Sequence, residues 1–203
     1  KGGNCCSGGS SRGSCPRSLP RRNRWASRPG RRGMRNLEIK AHVEALAPLR
    51  SRLRKLDGVY RHAILRQTDW YFRVPKGRLK LRAVGAKRDG ELIAYLRPDR
   101  SAARTSEFQL LPTADAAGVR RLLEQMLGVR ACVRKRREVW LYRNARIHLD
   151  TVDGRGCFVE IEVVVTEGMT QARALMSEFR GALGITSKDL IAGSYGSMSG
   201  ARG

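Results

Sequence analysis

Two carboxylates lie two residues apart in a β-branched stretch, and this spacing carries the clearest chemical signal in the sequence. Glu160 and Glu162 alternate with Val159, Ile161 and Val163. Because successive side chains of a strand point to opposite faces, the carboxylates share one face and the apolar residues share the other. Two like charges this close raise each other's pKa unless a cation or opposing basic groups neutralise them. The stretch therefore predicts a strand whose acidic face meets a cation or basic side chains.

Basic residues follow the same alternation in other stretches of the chain. Lys40 follows Glu38 at this spacing, and two further stretches repeat it with basic residues, namely Arg78, Lys80 and Arg82, and then Lys135 and Arg137. Charge that is this regular and mixed in sign does not fit the outer face of an ordinary half-buried sheet. A closed barrel of about eight strands has room for an internal ligand. We therefore predict strands that turn charged faces toward a shared interior, with helices covering the apolar exterior.

The pattern of periodicity predicts eight strands and three helices, and the short connections favour antiparallel pairing. The fold class is thus α+β, an eight-stranded antiparallel closed barrel with a few covering helices. The predicted strands are 36–43, 60–74 (one strand or two), 78–82, 92–97, 104–111, 132–142, 145–152 and 157–165. One helix begins at Pro48, a second is capped by Thr113 and ends at Gly128, and a third covers 170–183. Residues 185–195 are expected to form a short helical turn and a closing segment.

Composition divides the chain into a tail and a domain. The net charge is +23, and residues 1–33 contain Lys1 and eight arginines but no acidic residue. We predict a disordered basic tail over residues 1–33, one domain over 34–198 and a flexible C-terminus over 199–203. The domain itself stays strongly basic, which favours a polyanionic partner, with contact to nucleic acid expected only through the tail. No run of about 18 apolar residues occurs, so we expect no membrane segment and a cytoplasmic location.

The order of these motifs resembles that of the CYTH family, the triphosphate tunnel metalloenzymes, over residues 34–195. The family's first strand carries E-x-E-x-K, and this chain has Asn36-Leu37-Glu38-Ile39-Lys40, with Asn36 in place of the first glutamate. Other matching stretches are 71–72, 78–82, 95–98, Arg104 with Ser106, 135–137, Asp150, 156–162 and 194–195. The resemblance implies an eight-stranded barrel, a triphosphate ligand and activity that needs Mg²⁺ or Mn²⁺.

Side chains have to bind the phosphates, because the chain has no GxxxxGK[ST] loop. The resemblance and the chemistry of arginine forks and lysine charges give the candidate phosphate ligands, which are Lys40, Lys80, Arg82, Arg97, Arg104, Lys135 and Arg137. Hard cations prefer oxygen, so the candidate metal ligands are Glu38, Asp150, Glu160 and Glu162, and Glu38, Glu160 and Glu162 are the candidate catalytic residues. The three histidines, His42, His62 and His148, are interpreted as structural or surface residues, although His148 shares the face of Asp150.

Three functions remain open from the sequence. The leading hypothesis is a metal-dependent phosphohydrolase that cleaves an anhydride of ATP, tripolyphosphate or thiamine triphosphate. The second is an adenylate cyclase that converts ATP to cyclic AMP and pyrophosphate in the same tunnel. The third is a non-catalytic module that binds polyphosphate or RNA, although aromatic residues make up only 6% of the chain and base stacking would need them. We expect a monomer or a homodimer.

Overall fold

The computed structural model describes residues 34–96 and 104–197, which form eight strands and three helices. In chain order these elements are β1 (Met34–Val43), α1 (Ala47–Lys55), β2 (Tyr60–Phe72), β3 (Arg78–Val84), β4 (Gly90–Leu96), β5 (Arg104–Thr113), α2 (Ala116–Leu127), β6 (Val129–Tyr142), β7 (Ala145–Val152), β8 (Gly156–Val164) and α3 (Met169–Leu183). The predicted tail 1–33, the predicted C-terminus 199–203 and Arg97 lie outside the described residues. The number, type and order of the predicted elements are confirmed.

The eight strands pair antiparallel in an order that returns to its start. The order is β1-β5-β4-β3-β2-β6-β7-β8, and β8 pairs again with β1. Closure covers only part of the strand length, because β3 pairs with β2 over 67–72 while the earlier residues of β2 pair with β6 alone. The sheet is therefore strongly curled and closes as a barrel only in part. The predicted eight-stranded antiparallel barrel is confirmed, with closure that is less complete than predicted.

Helices α1 and α3 cover the apolar outer face of β1, β7 and β8. Ile39 and Ile161 are buried on this face, in the same cluster as Leu53 of α1 and Phe179 of α3. Burying an aliphatic or aromatic side chain of this size contributes about 1.5–3 kcal/mol. Helix α3 ends where Gly184 adopts φ 66°, a left-handed conformation that glycine takes without strain. The predicted apolar exterior under helices is confirmed.

Helix α2 covers the outer face of β2 and β3, where Phe72 and Leu81 are buried. Its N-cap is Asp115, whose Oδ1 accepts a hydrogen bond from the backbone N–H of Gly118 at 3.1 Å. The predicted cap at Thr113 is wrong, because Thr113 still belongs to β5 and its Oγ1 accepts from the backbone N–H of Asp115. Within 34–96 and 104–197, none of the helices has the length and apolar character needed to cross a membrane.

The segment after α3 crosses one end of the barrel. The backbone N–H of His42 donates to the carbonyl of Asp189 at 2.9 Å, and that of Ile191 donates to the carbonyl of Lys40 at 2.9 Å. Tyr195 then enters the barrel and packs edge-on against Phe158, with ring centroids 5.0 Å apart. These two rings belong to an apolar cluster inside one end of the barrel, which we call the plug and which consists of Tyr71, Ala131, Val133, Val152, Phe158 and Tyr195.

Candidate active site

The strand register brings the charged faces of the sheet into one interior. Lys40 lies opposite Glu160, Glu38 lies opposite Glu162, and Arg137 lies opposite Asp150. Each of these pairs shares the inward parity of its strands, while neighbouring residues such as Ile39 and Ile161 pack under the helices. The buried charged side chains with inward parity are Glu38, Lys40, Asp69, Lys135, Arg137, Asp150 and Glu160. We call this interior the lumen.

One group of lumen residues is centred on Asp69, which is 0% exposed. Arg82 donates from Nε to Oδ1 at 2.8 Å and from Nη2 to Oδ2 at 3.1 Å. Lys80 and Lys135 both donate to Oδ2, at 3.3 Å and 3.1 Å. We call these four residues the Asp69 cluster. It places three basic groups from β3 and β6 on a single carboxylate of β2.

Burial and mutual repulsion perturb the basic groups of this cluster. Burial, together with the charge of Arg82, lowers the pKa of Lys80 to about 8. Burial, together with the charge of Arg137, lowers the pKa of Lys135 to about 7. Burial opposes ionisation of Asp69, but Arg82, Lys135 and Lys80 outweigh it and hold its pKa well below the usual range. The Asp69 cluster therefore has more buried positive charge than its carboxylate balances.

A second group of lumen residues is centred on Glu160 and consists of Arg137, His148, Asp150, Glu160 and Glu162. We call it the Glu160 cluster. Arg137 donates from Nη2 to Glu160 Oε2 at 2.7 Å and binds both oxygens of Asp150, at 2.8 Å and 2.6 Å. Burial opposes ionisation of Glu160, but Lys40, whose Nζ lies 3.6 Å from Oε1, and Arg137 hold its pKa well below the usual range. This cluster contains more acidic than basic groups.

The side chains of His148, Glu160 and Glu162 form a group that fits a divalent cation. One ligand atom of each lies within 4.8 Å of the other two. The Nδ1 atom of His148 is buried and has no hydrogen-bond partner among the described residues, with Glu160 Oε2 as far as 3.8 Å away. Glu162 is held by Arg146 at 3.2 Å and stands opposite Glu38 on β1. Carboxylate oxygens are the donors that Mg²⁺ and Mn²⁺ prefer, so the residues present fit such an ion.

Asp150 has a different environment from the other carboxylates of its cluster. Both its oxygens accept from Arg137, and Oδ2 also accepts from the hydroxyl of Tyr195 at 2.8 Å. Burial opposes its ionisation, but the charge and hydrogen bonds of Arg137 lower the pKa to about 2. Burial and Asp150 raise the pKa of Tyr195 well above its usual value, so the phenol stays protonated and donates. Asp150 thus fixes the orientation of Arg137.

Most of the residues singled out in the sequence come together in the lumen. Lys80, Arg82 and Lys135 lie in the Asp69 cluster. Arg137, Asp150, Glu160 and Glu162 lie in the Glu160 cluster. Lys40 and Glu38 lie beside the Glu160 cluster on β1. Arg104 lies opposite Glu38 in the β1–β5 register, while Arg97 is outside the described residues. The sequence analysis missed Asp69 and Tyr195 as parts of the site. The signal for Asp69 was its inward parity with Gln67 and Tyr71 on β2.

The family model of the CYTH domain matches residues 34–195, and the chain belongs to this family. Members of the family bind triphosphates and are in general metal-dependent enzymes. A search of curated protein sequences found no significant match to the chain.

Solved structures share this fold at low sequence identity. A protein of Pyrococcus horikoshii OT3 called PH1012 is 21% identical with a TM-score of 0.72, over 80% of this chain and 98% of that one. A Vibrio parahaemolyticus protein named as a candidate adenylate cyclase is 19% identical with a TM-score of 0.67, over 83% and 99% of the two chains. A chain of the Schizosaccharomyces pombe Mediator head module is 12% identical with a TM-score of 0.54, over 74% and 95%. At these identities the likeness extends to the fold alone.

Proposed function

We propose that the lumen binds the phosphates of a triphosphate and, with a divalent cation, hydrolyses a phosphoanhydride of that triphosphate. The observation that carries the proposal is the Asp69 cluster, in which the buried Lys135 and the partly buried Lys80 and Arg82 share one carboxylate. Burying basic groups in excess is costly unless an anion balances them. A triphosphate, with close to four negative charges, supplies that balance, and ATP, tripolyphosphate and thiamine triphosphate are the candidate substrates.

The basic residues hold the phosphates in this proposal. Arg82 and Arg137 offer planar guanidinium groups that bind phosphate oxygens in pairs, and Lys40, Lys80 and Lys135 offer compact charges. Arg137 stands between the two clusters, since it follows Lys135 by two residues on β6 and also binds Glu160. Asp150 positions Arg137 rather than a cation in this proposal, because its two oxygens accept hydrogen bonds from Arg137 and Tyr195.

Glu160 and Glu162, with Glu38 opposite Glu162, would hold Mg²⁺ or Mn²⁺. The cation would neutralise developing phosphate charge and help to activate the attacking water. The chain's own contribution is to hold these carboxylates ionised, as Lys40, Arg137 and Arg146 do through the pKa shifts of Glu160 and Glu162. The apolar plug lies at one end of the lumen, so in this proposal the phosphates enter from the other end.

Two alternatives use the same lumen. An adenylate cyclase is favoured by the name of the Vibrio parahaemolyticus neighbour, and the same charged groups would hold the triphosphate of ATP while its ribose hydroxyl attacks. A non-catalytic polyphosphate binder is favoured by the Asn36 that replaces one of the acidic residues of the family motif.

A substrate panel separates the three functions. ATP, tripolyphosphate and thiamine triphosphate are incubated with Mg²⁺ or Mn²⁺ and the products identified. Orthophosphate release supports the proposed hydrolysis, cyclic AMP with pyrophosphate supports the cyclase, and tight binding without product supports the binder. Lys80→Ala should weaken binding of the turned-over substrate at least ~10-fold. The matched control is Arg134→Ala, because Arg134 is exposed on the outer face of β6 next to Lys135.

A further inference from the structure

His148 is the one member of the Glu160 cluster to which the proposed hydrolysis assigns no role. It lies on β7 directly opposite Glu160 on β8, and its side chain is only 7% exposed. Its Nδ1 atom has no hydrogen-bond partner within the described ranges 34–96 and 104–197. Buried polar atoms are nearly always paired, so an unpaired nitrogen that faces two carboxylates calls for a physical explanation.

The spacing of the three side chains points to a common ligand. Three donor atoms bound ~2.1 Å from one central ion cannot all lie more than ~3.6 Å apart. The ligand atoms of His148, Glu160 and Glu162 lie within 4.8 Å of one another, so side-chain shifts of up to about 1 Å bring all three onto one ion. A structural histidine would instead donate to or accept from a near neighbour, and the nearest carboxylate oxygen of Glu160 is 3.8 Å from Nδ1, beyond hydrogen-bond range.

We propose that His148 is a nitrogen ligand of the divalent cation held by Glu160 and Glu162, and that this nitrogen makes the site prefer Mn²⁺ to Mg²⁺. The inference rests on the proposed function for the presence of a cation. Its physical reason is that Mg²⁺ is a hard ion that prefers oxygen and keeps its waters, whereas imidazole is a good ligand for transition metals. A purely carboxylate site would discriminate much less between the two ions.

Electron spin echo spectroscopy of Mn²⁺ added to the unmodified full chain tests the ligand directly. We expect modulation from a directly bound ¹⁴N nucleus, its loss in His148→Gln, and its retention in His62→Gln, a control on an exposed position of β2. Bound Mn²⁺ without nitrogen coupling in the unmodified protein overturns the proposal, and this measurement does not depend on whether a variant folds.

Competition between the two ions tests the preference. Free Mn²⁺ is measured by its EPR signal while Mg²⁺ is added to the substrate-free protein. His148→Gln should weaken Mn²⁺ binding at least ~10-fold and Mg²⁺ binding much less, because only the transition metal loses a favoured ligand. Equal losses for both ions, or no loss for Mn²⁺, overturn the proposal. If the His148 proposal is overturned but the protein still hydrolyses a triphosphate with Mg²⁺, the proposed function stands. Failure of the His148 ligand and failure of the proposed hydrolysis are therefore distinguishable.

Discussion

The Asp69 cluster and the Glu160 cluster occupy one lumen but have opposite charge balances. In the first, three basic groups share a single carboxylate. In the second, Asp150 and Glu160 both accept hydrogen bonds from Arg137, while Glu162 pairs with Arg146. Burial and the charge of Arg137 lower the pKa of the neighbouring His148. The lumen therefore has a basic side on β2, β3 and β6 and an acidic side on β7 and β8. We call them the anion-binding side and the cation-binding side, after the ligands proposed for them above.

Strand β6 contributes a basic residue to each side of the lumen. β6 contributes Lys135 to the Asp69 cluster and Arg137 to the Glu160 cluster, two residues further along. The charge of Arg137 lowers the pKa of Lys135, so the two sides are coupled electrostatically. A ligand that carries phosphates and a cation together would satisfy both sides at once. By contrast, Arg136 points outward between them and binds Glu138 at 2.8 Å. Glu138 also accepts a hydrogen bond from Arg50, which joins β6 to α1.

The largest expected effect on turnover comes from removing one charge on the cation-binding side. Glu162→Gln keeps the shape of the side chain but loses the charge that would bind the cation. We expect kcat to fall at least ~100-fold, which corresponds to about 3 kcal/mol of transition-state stabilisation. Steady-state kinetics at limiting Mg²⁺ measure this loss. Glu167→Gln, at an exposed position beyond β8, is the control, and near-normal turnover of Glu162→Gln would refute the cation-binding side.

The next effect tests the anion-binding side through stability. Asp69→Asn leaves the buried Lys135 and the partly buried Lys80 and Arg82 without their shared negative charge. Breaking a buried ion pair of this kind costs about 3–5 kcal/mol of unfolding free energy. Urea denaturation should show this loss, and tripolyphosphate should stabilise the variant more than the unmodified protein. Asp153→Asn in the exposed turn before β8 serves as the control. An equal tripolyphosphate effect on both proteins would show that the cluster does not bind phosphate.

On the anion-binding side, raising the pH should weaken phosphate binding but increase the stability of the free protein. Lys135 and Lys80 have pKa values of about 7 and about 8. A bound polyanion favours the protonated form of both lysines, so binding takes up protons from solvent and affinity falls from pH ~7 to ~9. Between these pKa values and the unfolded value of 10.5, the unfolded chain holds more protons, so stability of the free protein rises with pH. Calorimetry in buffers of different ionisation enthalpy measures the uptake.

The matched variant for this pH dependence is Lys135→Met, which should lose the proton uptake near pH 7 and keep that near pH 8. Proton release on tripolyphosphate binding, or affinity that does not change over this range, would contradict the assignment of the two lysines to the phosphate site.

Strand parity predicted correctly that most of the described candidate residues face the lumen. Glu160 and Glu162, or Lys135 and Arg137, are two residues apart, and that local spacing fixes a common face in any strand. Parity does not fix register, which depends on contacts between distant strands. The sharing of Asp69 by residues 11, 13 and 66 positions away in the chain was therefore not predictable from one isolated aspartate on β2.

The incomplete closure of the barrel and the plug also depend on long-range contacts. β2 is longer than β3, but only the register shows which of its residues remain without β3. Tyr195 follows a segment with no regular periodicity, and its hydroxyl reaches Asp150 across 45 residues of chain. The predicted cap at Thr113 failed for a local reason, since Thr113 and Asp115 are both good N-cap residues and β5 extends through the first of them.

The smallest effect concerns the link between the plug and the cation-binding side. Tyr195→Phe keeps the ring that packs on Phe158 and lies 3.9 Å from Lys40 Nζ, but it removes the hydroxyl that donates to Asp150. Asp150 retains both hydrogen bonds from Arg137, so we expect a loss of about 1–2 kcal/mol of stability and less than ~10-fold in kcat. Thermal melting and steady-state kinetics measure these values, with Tyr60→Phe as the exposed control. A loss of turnover as large as that of Glu162→Gln, without loss of stability, would show that the hydroxyl acts on the substrate itself rather than through Asp150 and Arg137.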